Sequence, residues 1–323
     1  MKIIIPGGSG LIGRMLARTF SMDGHDVVVL SRNASASAPG RVVAWDGCSR
    51  GNWCEELEGA DVVINLAGRS VNCRYTPANR MAITDSRVNS TRVVGEAIAQ
   101  ATRPPRIWLQ AATATIYAHR YDASNDELTG IVGGAESDAP DTWRFSIDVA
   151  TAWERAMNEF ALARTRKVLL RTSIVMSPAR GSAFDIMLGL VRHGLGGHFG
   201  NGCQYISWIH EADFIRAISW LIEHDTLEGP VNLAAPHPLP NREFMRRLRR
   251  AWGIRFGLPA TEWMLEFGAA FLRTETELIL KSRRVVPSLL LKSGFIFQFP
   301  AWPEAADDLC RQWRDHNQQS EKS

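Results

Sequence analysis

The sequence predicts an α/β fold in which a doubly wound parallel sheet is followed by a small, mainly helical C-terminal domain. Three observations predict it. Residues 1–20 have the pattern of a buried strand, a glycine-rich turn and an amphipathic helix, in that order. Strand and helix patterns then alternate up to about residue 235, as in parallel sheets built from βαβ units. From residue 241 onward helical patterns dominate until about residue 292.

The first strand and turn predict a dinucleotide site. Three consecutive β-branched residues, 3–5, are typical of a buried parallel strand, and the apolar residues of 11–20 recur on one helix face. The glycines between them let the backbone turn tightly and approach a pyrophosphate, which the helix N-terminus then binds. The alternative is a purely structural turn. The residues expected to contact the cofactor are Gly7, Gly8, Ser9, Gly10, Leu11, Ile12 and Gly13.

The end of the second strand, 26–32, predicts which dinucleotide binds. A site for NAD(H) usually has Asp or Glu here, whose carboxylate binds the ribose hydroxyls. This chain has Ser31, Arg32 and Asn33 instead. A guanidinium matches a 2′-phosphate in charge and planar geometry, so Ser31 and Arg32 favour NADP(H) over NAD(H). The alternative is that Arg32 is a solvated loop residue.

Four further strands and two long helices complete this part of the pattern. The strands span residues 41–46, 61–68, 106–113 and 167–175, and the helices about 77–100 and 145–164. Ligands of doubly wound sheets bind beyond the carboxyl ends of the strands, so residues at these ends are expected to share a crevice with the glycine turn. Those predicted to contact the cofactor are Leu66, Ala67, Gly68, Ala111 and Ser173.

Amino-acid composition indicates which kinds of partner and which cellular compartment to expect. Of 323 residues, 45% are hydrophobic and 22% charged, and the net charge of +3 gives no reason to expect nucleic acid or membrane as a partner. The five cysteines are scattered without a Cys-x-x-Cys pair, which favours free thiols in a reducing compartment. The chain starts almost directly on its first strand, without room for a signal peptide, and has no apolar run of membrane-spanning length. A cytoplasmic location is the expectation.

Two patterns in the second half resemble binding sites. His193, His198 and His210 have no partner cysteine or carboxylate at ligand spacing, so no metal site is predicted. Residues 242–252 have apolar side chains at every fourth position and an arginine-rich opposite face. They predict an amphipathic helix whose outer face is either solvated or binds phosphate-bearing partners or a membrane surface.

A domain boundary is expected near residue 240. The first domain, 1–240, contains the predicted sheet, and the second, 241–323, has its core at about 245–300. Within the first domain, residues 119–142 form a long polar loop, which is typical of a functional lid or an insertion.

Four motifs resemble those of one protein family. They are Gly-Gly-Ser-Gly-Leu-Ile-Gly at 7–13, Asp-Val-Val-Ile-Asn-Leu-Ala-Gly at 61–68, Ser-Trp-Ile-His-x-x-Asp at 207–213 and Ser-Gly-Phe-x-Phe-x-Phe-Pro at 293–300. The chain resembles, over nearly its whole length, extended short-chain dehydrogenases/reductases of the NAD-dependent epimerase/dehydratase type. More narrowly, it is similar to an atypical branch of uncharacterised epimerase-family proteins with a short C-terminal domain of unknown function. The resemblance implies a Rossmann-type sheet.

The resemblance also implies candidate catalytic residues. Extended members use a Ser or Thr after the fifth strand and a Tyr-x-x-x-Lys pair on the next helix, with the tyrosine as general acid/base. The family's Ser or Thr lies four residues before a tyrosine, as Thr113 does before Tyr117. The family's glutamate four residues after the lysine matches Glu154, which places Ser146 and Ala150 at the tyrosine and lysine positions. Neither residue fits its role, and no Tyr-x-x-x-Lys occurs in the chain.

Other residues are candidates for the missing functions. Tyr117 and His119 carry groups that transfer protons, and Arg87, which replaces the family's helix asparagine, is a fixed positive charge expected near the cofactor. Each has a structural alternative. Tyr117 then packs as an amphipathic side chain, His119 is solvated, and Arg87 forms an ion pair with a neighbour such as Asp85.

The sequence therefore predicts an NADP(H)-binding, oxidoreductase-like protein with an unidentified small-molecule substrate. If it is an enzyme, the expected reaction is hydride transfer to or from a carbonyl or hydroxyl group. Thr113 would orient the substrate oxygen, and Tyr117 or an ordered water would carry the proton. The alternative is a redox-sensing or regulatory protein that binds NADP(H) without turnover, and a nucleotide-sugar epimerase is the third. Neither the substrate nor the oligomeric state follows from the sequence.

Overall fold

The strands of the protein follow the predicted alternation. The computed structural model describes residues 1–33, 35, 38–136, 140–260 and 281–320. The strands in these residues are β1 (Lys2–Pro6), β2 (Asp26–Ser31), β3 (Arg41–Ala44), β4 (Val62–Asn65), β5 (Ile107–Thr113), β6 (Arg166–Thr172), β7 (Ile174–Met176), β8 (Tyr205–Ile206), β9 (Trp208–His210), β10 (Gly229–Leu233) and β11 (Leu239–Pro240).

The helices lie between these strands and after them. They are α1 (Leu11–Met22), α2 (Pro77–Gln100), α3 (Asp141–Asn158), α4 (Ala183–Arg192), α5 (Glu211–Glu223), α6 (Asn241–Trp252), α7 (Ser288–Lys292) and α8 (Trp302–Ser320), with short 3₁₀ helices at Asn52–Leu57 and Ala114–Ile116. Residues 261–280, for which the sequence predicts helix, lie outside the described residues. None of the described helices combines the length and apolar character that a membrane span requires.

Seven strands form the main sheet, in the order β10-β6-β5-β4-β1-β2-β3. The pairs β1–β2, β2–β3, β1–β4 and β4–β5 are parallel. The order grows outward from β1 in both directions, which confirms the predicted doubly wound sheet. The β-branched residues 3–5 of β1 are fully buried, as expected for a strand covered on both faces.

Two predicted boundaries are wrong for identifiable reasons. The helix expected at 145–164 is α3, which begins after Pro140 and ends at Asn158 because Phe160 leaves the helix to pack its ring against Gly95 and Trp108. The strand expected at 167–175 is interrupted at Ser173, whose backbone N–H and hydroxyl both donate to the carbonyl oxygen of Leu233.

The chain divides into two compact units. The first contains residues 1–113, 145–171 and 218–231, and the second 114–144, 172–217 and the residues from 232 onward. The second unit includes residues on both sides of the boundary predicted near residue 240, and that boundary stays a prediction.

The core of the second unit forms where α4, α6 and α8 meet. The ring of Trp302 stacks on Phe244 with centroids 3.9 Å apart, and its indole N–H donates to the Phe244 carbonyl oxygen at 3.0 Å. Phe244, Met245 and Leu248 are fully buried, so residues 242–252 form the predicted amphipathic helix. On the opposite face, Arg246 and Arg247 both bind Glu243.

The first unit contains two bidentate Arg–Glu pairs of similar geometry, one buried and one exposed to solvent. Arg171 donates to both oxygens of Glu154 at 2.8 Å, and the side chains are only 10% and 11% exposed. Arg92 and Glu159 form the same fork at 2.8 and 2.7 Å but are 47% and 38% exposed.

We expect Glu154→Gln to lower the free energy of unfolding by roughly 3 kcal/mol, because Arg171 would keep its buried charge without this carboxylate. The matched Glu159→Gln change removes a solvated pair and is expected to cost about 0.5 kcal/mol or less. Urea denaturation of both variants measures the difference. Equal losses of unfolding free energy in the two variants would contradict the expectation that burial makes the Arg171–Glu154 pair the more important one.

Candidate functional site

Close packing requires glycine at two positions, Gly7 in the turn between β1 and α1 and Gly13 in the first turn of α1. Gly7 has φ +77°, a conformation that favours glycine, and a Cβ on it would lie 2.8 Å from the Cα of Ala67. A Cβ on Gly13 would lie 2.4 Å from the Cα of Gly8. The turn is therefore pressed against the loop after β4, and α1 is pressed against the turn.

Gly10 differs from both of them. Its backbone is extended, with φ −75° and ψ 173°, so any residue could adopt it. A Cβ on Gly10 would meet, among the described atoms, only the carbonyl oxygen of Gly7 at 3.5 Å. Neither the backbone nor the packing of the described residues requires glycine here, and the space beside it is open. An open position next to a helix N-terminus is where a bound group approaches the backbone.

The first turn of α1 follows Gly10 directly. Gly10 is the N-cap and makes no side-chain capping hydrogen bond. The first N–H with an acceptor in the helix register is that of Arg14, which donates to the carbonyl oxygen of Gly10 at 2.8 Å. The N–H groups of the first turn, at Leu11, Ile12 and Gly13, have no acceptor within the helix. Such an end attracts anions.

The end of β2 is tied to the same turn. The Ser31 hydroxyl donates to the Ser9 hydroxyl at 3.2 Å and accepts the N–H of Asn33 at 3.2 Å. The next side chain, Arg32, is exposed and forms no ion pair with any residue in the described ranges. Its guanidinium is therefore solvated in this structure, close in sequence to a serine that contacts the turn.

Two buried amides lie at the end of β4 and in the middle of β5. Asn65 and Gln110 are fully buried, and the Asn65 amide N–H donates to the Gln110 amide oxygen at 3.0 Å. The Asn65 oxygen accepts the N–H of Ala67 at 3.1 Å, and the Gln110 amide donates to the carbonyl oxygen of Ala111 at 3.2 Å. They hold the small residues 66–68 in place. Sequence reasoning missed both, although each is a polar residue that follows an apolar run within its strand.

Arg87 lies on α2 beside Gly68. A Cβ on Gly68 would meet the Arg87 side chain at 3.3 Å, and the guanidinium lies over the Trp153 ring, 5.0 Å from its centroid. One guanidinium N–H donates to the Ile83 carbonyl oxygen at 3.0 Å. Burial lowers the pKa of Arg87 to about 10, which leaves it charged at neutral pH. The alternative of an ion pair with Asp85 is wrong for the described structure, because the guanidinium instead contacts this carbonyl and this ring.

Helix α3 uses its inner positions for packing. Ala150, at the position of the family's lysine, is buried, and the indole N–H of Trp153 donates to the Thr91 hydroxyl at 3.1 Å. Thr113 is the last residue of β5 in the same unit and is partly exposed. Thus Thr113 and Arg87 are present near strand ends of this unit, whereas α3 carries no tyrosine or lysine.

Tyr117 and Ser173 belong to the second unit. The Tyr117 side chain is 2% exposed, and its hydroxyl donates to the Asn232 amide oxygen at 2.9 Å. The Ser173 hydroxyl donates to the Leu233 carbonyl oxygen at 2.8 Å. Both hydroxyls are thus engaged with the residues at the end of β10, which is the structural use that a buried tyrosine commonly has.

The comparison with protein families follows this geometry. Residues 3–234 match the NAD dependent epimerase/dehydratase family, and residues 260–309 match a domain of unknown function, DUF1731. The chain belongs to the NAD dependent epimerase/dehydratase family. The match covers the glycine turn, the seven strands of the main sheet and the ends of β4 and β5 described above.

Individual members of this family extend the comparison. An epimerase family protein of Staphylococcus epidermidis is 30% identical over 312 residues, which cover 96% of this chain and 99% of that protein. The crystal structure of human epimerase family protein SDR39U1 with NADPH is 28% identical, with a TM-score of 0.83 over 96% of this chain and 99% of that one. A nucleoside-diphosphate sugar epimerase from Corynebacterium glutamicum is 27% identical, with a TM-score of 0.74 over 99% of this chain and 61% of that one.

The motif at 207–213 serves the architecture of the second unit. The Asp213 carboxylate is fully buried and accepts the N–H groups of Gln298 and Phe299 at 2.7 Å each. Nδ1 of His210 accepts the N–H of Ala212 at 3.1 Å, and the His210 ring stacks on Phe299. This motif and the closing motif at 293–300 therefore hold each other in place. No group of three or more His, Cys, Asp or Glu within the described ranges is arranged to hold a metal ion.

We expect His210 to make stability depend on pH. Burial lowers its pKa below the ordinary 6.5, against the opposing charges of Asp308 and Asp213. The unfolded chain therefore binds a proton at pH values where the folded protein does not, so stability falls as the pH drops below about 6.5. His210→Gln is expected to remove about 1 kcal/mol of the stability lost between about pH 7 and pH 5.5.

Chemical denaturation at a series of pH values measures this slope. The control is His237→Gln, which changes an exposed histidine of the same unit and should leave the slope as it is. An identical pH slope in the His210 variant and the wild type would show that another group is responsible.

Proposed function

We propose that the protein binds NADP(H) through the glycine turn and acts as an oxidoreductase-like member of its family. The observation that carries the proposal is Gly10, which is extended, open and placed directly before an uncapped helix N-terminus. Packing explains Gly7 and Gly13 but not Gly10, whereas the approach of a pyrophosphate explains it. The human relative solved with NADPH, similar over almost its whole length, supports this choice of ligand.

The residues of the first unit fit this cofactor. The N–H groups of residues 11–13 would hold the pyrophosphate, and Arg32 would bind the 2′-phosphate that distinguishes NADP(H). Ser9 and Ser31 would line the nucleotide between them, and the small residues 66–68 would let it lie close to the backbone. Arg87 would add a fixed positive charge beside Gly68. When bound, the nicotinamide supplies a hydride donor or acceptor.

The proposed reaction is hydride transfer to or from a small carbonyl or hydroxyl compound. Thr113 would orient the substrate oxygen by a hydrogen bond from its hydroxyl. Of the two proton carriers that the sequence suggests, the hydrogen bond from Tyr117 to Asn232 favours an ordered water over the tyrosine. An epimerase reaction on a nucleotide sugar is the third candidate, and it would need the tyrosine and lysine that α3 lacks.

The second candidate is a protein that binds NADP(H) without turnover and senses redox state. The composition of α3 favours it, because its inner positions hold Ala150 and Trp153, which are buried and pack in the core. Oxidation of bound NADPH by added aldehydes or ketones separates the two candidates. Loss of NADPH absorbance that depends on Thr113 supports the enzyme, and stable NADPH across the whole panel supports the sensor.

Three further proposals rest on the sequence. All five cysteines lie in the described residues as free thiols, which supports a cytoplasmic location. The substrate is proposed to be a small molecule rather than nucleic acid or membrane, since the net charge is only +3. Residues 241–323 are proposed as a separate domain of unknown role.

Gly10→Ala tests the site directly. We expect the variant to fold like the wild type, because its Cβ meets only one oxygen at an ordinary distance, and to lose at least tenfold in NADPH affinity, because the methyl group blocks the pyrophosphate. Thermal melting checks the fold, and nucleotide fluorescence measures binding. If the variant folds and its NADPH affinity is unchanged, the glycine turn has only a structural role.

Arg32→Ala tests the choice of cofactor. Loss of a charge-assisted hydrogen bond is expected to weaken NADPH binding by about tenfold and to leave NADH binding unchanged. Arg50→Ala, which removes another exposed arginine of the same unit, controls for net charge and should change neither affinity. Similar losses for both nucleotides, or for both variants, would argue against a 2′-phosphate contact.

A further inference from the structure

Two arginines of the second unit stack on tryptophan rings. The guanidinium carbon of Arg192, the last residue of α4, lies 4.3 Å from the centroid of the Trp313 ring and 5.8 Å from that of the Trp252 ring. The guanidinium carbon of Arg314, on α8, lies 4.2 Å from the Trp252 centroid. We call these four residues the Arg–Trp stack. It joins the ends of α4 and α6 to α8, and all of its members belong to the second unit.

The guanidinium groups of the stack are available to a partner. Both arginines are exposed to solvent. Within the described ranges Arg192 forms neither a hydrogen bond nor an ion pair, and Arg314 donates one hydrogen bond, to the Trp252 carbonyl oxygen at 3.4 Å. The exposed Asp315, next to Arg314 in the sequence, forms no ion pair with it. Because a guanidinium has five N–H donors in a rigid fork, most of these donors remain for a ligand.

The tryptophans restrict the positions of these guanidinium groups. The two indole rings are 5.5 Å apart between centroids and meet edge to face, at 88°. The indole N–H of Trp313 donates to the Asp185 carboxylate at 2.8 Å, which fixes the orientation of that ring. Cation–π stacking on a fixed ring limits the freedom of an arginine side chain, so less conformational entropy is lost when a partner binds. The stack is therefore preorganised although it is exposed.

Positive charge is concentrated on the helix that carries Trp252. Helix α6 has five arginines and one glutamate, whereas the whole chain has a net charge of only +3. The glutamate, Glu243, binds Arg246 and Arg247. Arg250, in the last turn, is exposed and forms no ion pair with any residue that the structure describes. An acidic partner is therefore attracted to this side of the second unit.

We propose that the Arg–Trp stack is a docking surface for an acidic segment of a protein partner. Aspartate or glutamate carboxylates of that segment accept paired N–H bonds from the forked guanidinium groups, and its neighbouring apolar side chains pack on the indole rings. Arginine and tryptophan are enriched among the residues that dominate the binding energy of protein interfaces, whereas lysine is depleted there. Helices α4, α6 and α8 contain no lysine.

The structure favours a protein partner over a membrane or a nucleic acid. A helix that binds a membrane surface inserts its apolar face among the lipids. The apolar face of α6 is instead buried in the core, where Phe244, Met245 and Leu248 are fully covered. A nucleic acid is bound through many phosphate contacts along an extended basic surface, whereas the stack presents two guanidinium groups on adjoining rings.

The test is fluorescence anisotropy of a labelled oligoglutamate peptide titrated with the full chain at low ionic strength. We expect this peptide to bind and an oligoserine peptide of the same length not to bind. Arg192→Gln and Arg314→Gln are each expected to weaken binding about fivefold or more, because each removes a charge-assisted hydrogen-bond donor. Arg155→Gln, which removes an exposed arginine of the first unit, changes net charge equally and should alter affinity less than about twofold.

Arg192→Lys separates the stacked fork from charge alone. The lysine keeps the charge but loses the planar, stacked donors, and we expect binding about threefold weaker than in the wild type. The proposal is overturned if the oligoglutamate peptide does not bind, if Arg192→Lys binds it like the wild type, or if Arg155→Gln weakens binding as much as the stack variants. It is also overturned if a single-stranded oligonucleotide or phosphatidylserine vesicles bind more tightly than the peptide and depend equally on Arg192 and Arg314.

Discussion

The contact of the glycine turn with the loop after β4 is the constraint on which the first unit depends. The backbone N–H of Gly7 donates to the Leu30 carbonyl oxygen, and the N–H of Leu66 donates to the Pro6 carbonyl oxygen. These bonds join the ends of β1, β2 and β4 at one point. No side chain fits between Gly7 and Ala67, where a Cβ would lie 2.8 Å away. Because this approach fixes where α1 begins, it also fixes the direction in which the first-turn N–H groups point.

In the same unit, the inner positions of helix α3 are occupied by side chains that pack. In the family, α3 would present a tyrosine and a lysine, but here its inner positions hold Ala150 and Trp153. The neighbouring Glu154 forms a buried, bidentate ion pair with Arg171. Arg87, which we propose as a positive charge near the cofactor, lies on another helix with its guanidinium over the Trp153 ring. A guanidinium stacks on an indole at a small desolvation cost, which an ammonium would not do as well.

Much of the first unit could be predicted because its signals are local. Runs such as 3–5 and 62–64 are apolar enough to be read as buried strands, and the glycine spacing places the turn. The end of α3 could not be predicted, because it depends on where the Phe160 ring finds space against Gly95. The partner of Arg87 could not be predicted either. The sequence suggests a close neighbour such as Asp85, whereas the guanidinium contacts the ring of Trp153, more than sixty residues away.

The second unit was less predictable for the same physical reason. Its decisive contacts join distant segments, such as Asp213 with the N–H groups of Gln298 and Phe299. A carboxylate that accepts two backbone N–H groups replaces the pairing that a strand would provide, so this segment needs no strand of its own to satisfy its backbone. The motif residues His210 and Asp213 thus bind main-chain N–H groups, and the His210 ring stacks on Phe299.

The groups proposed to hold the cofactor phosphates limit the cost of desolvation. The glycine turn offers neutral N–H groups, and Arg32 after β2 is exposed to solvent, so its charge costs nothing in the free protein but is screened by salt. The contribution of Arg32 to anion binding is therefore expected to weaken as the ionic strength rises.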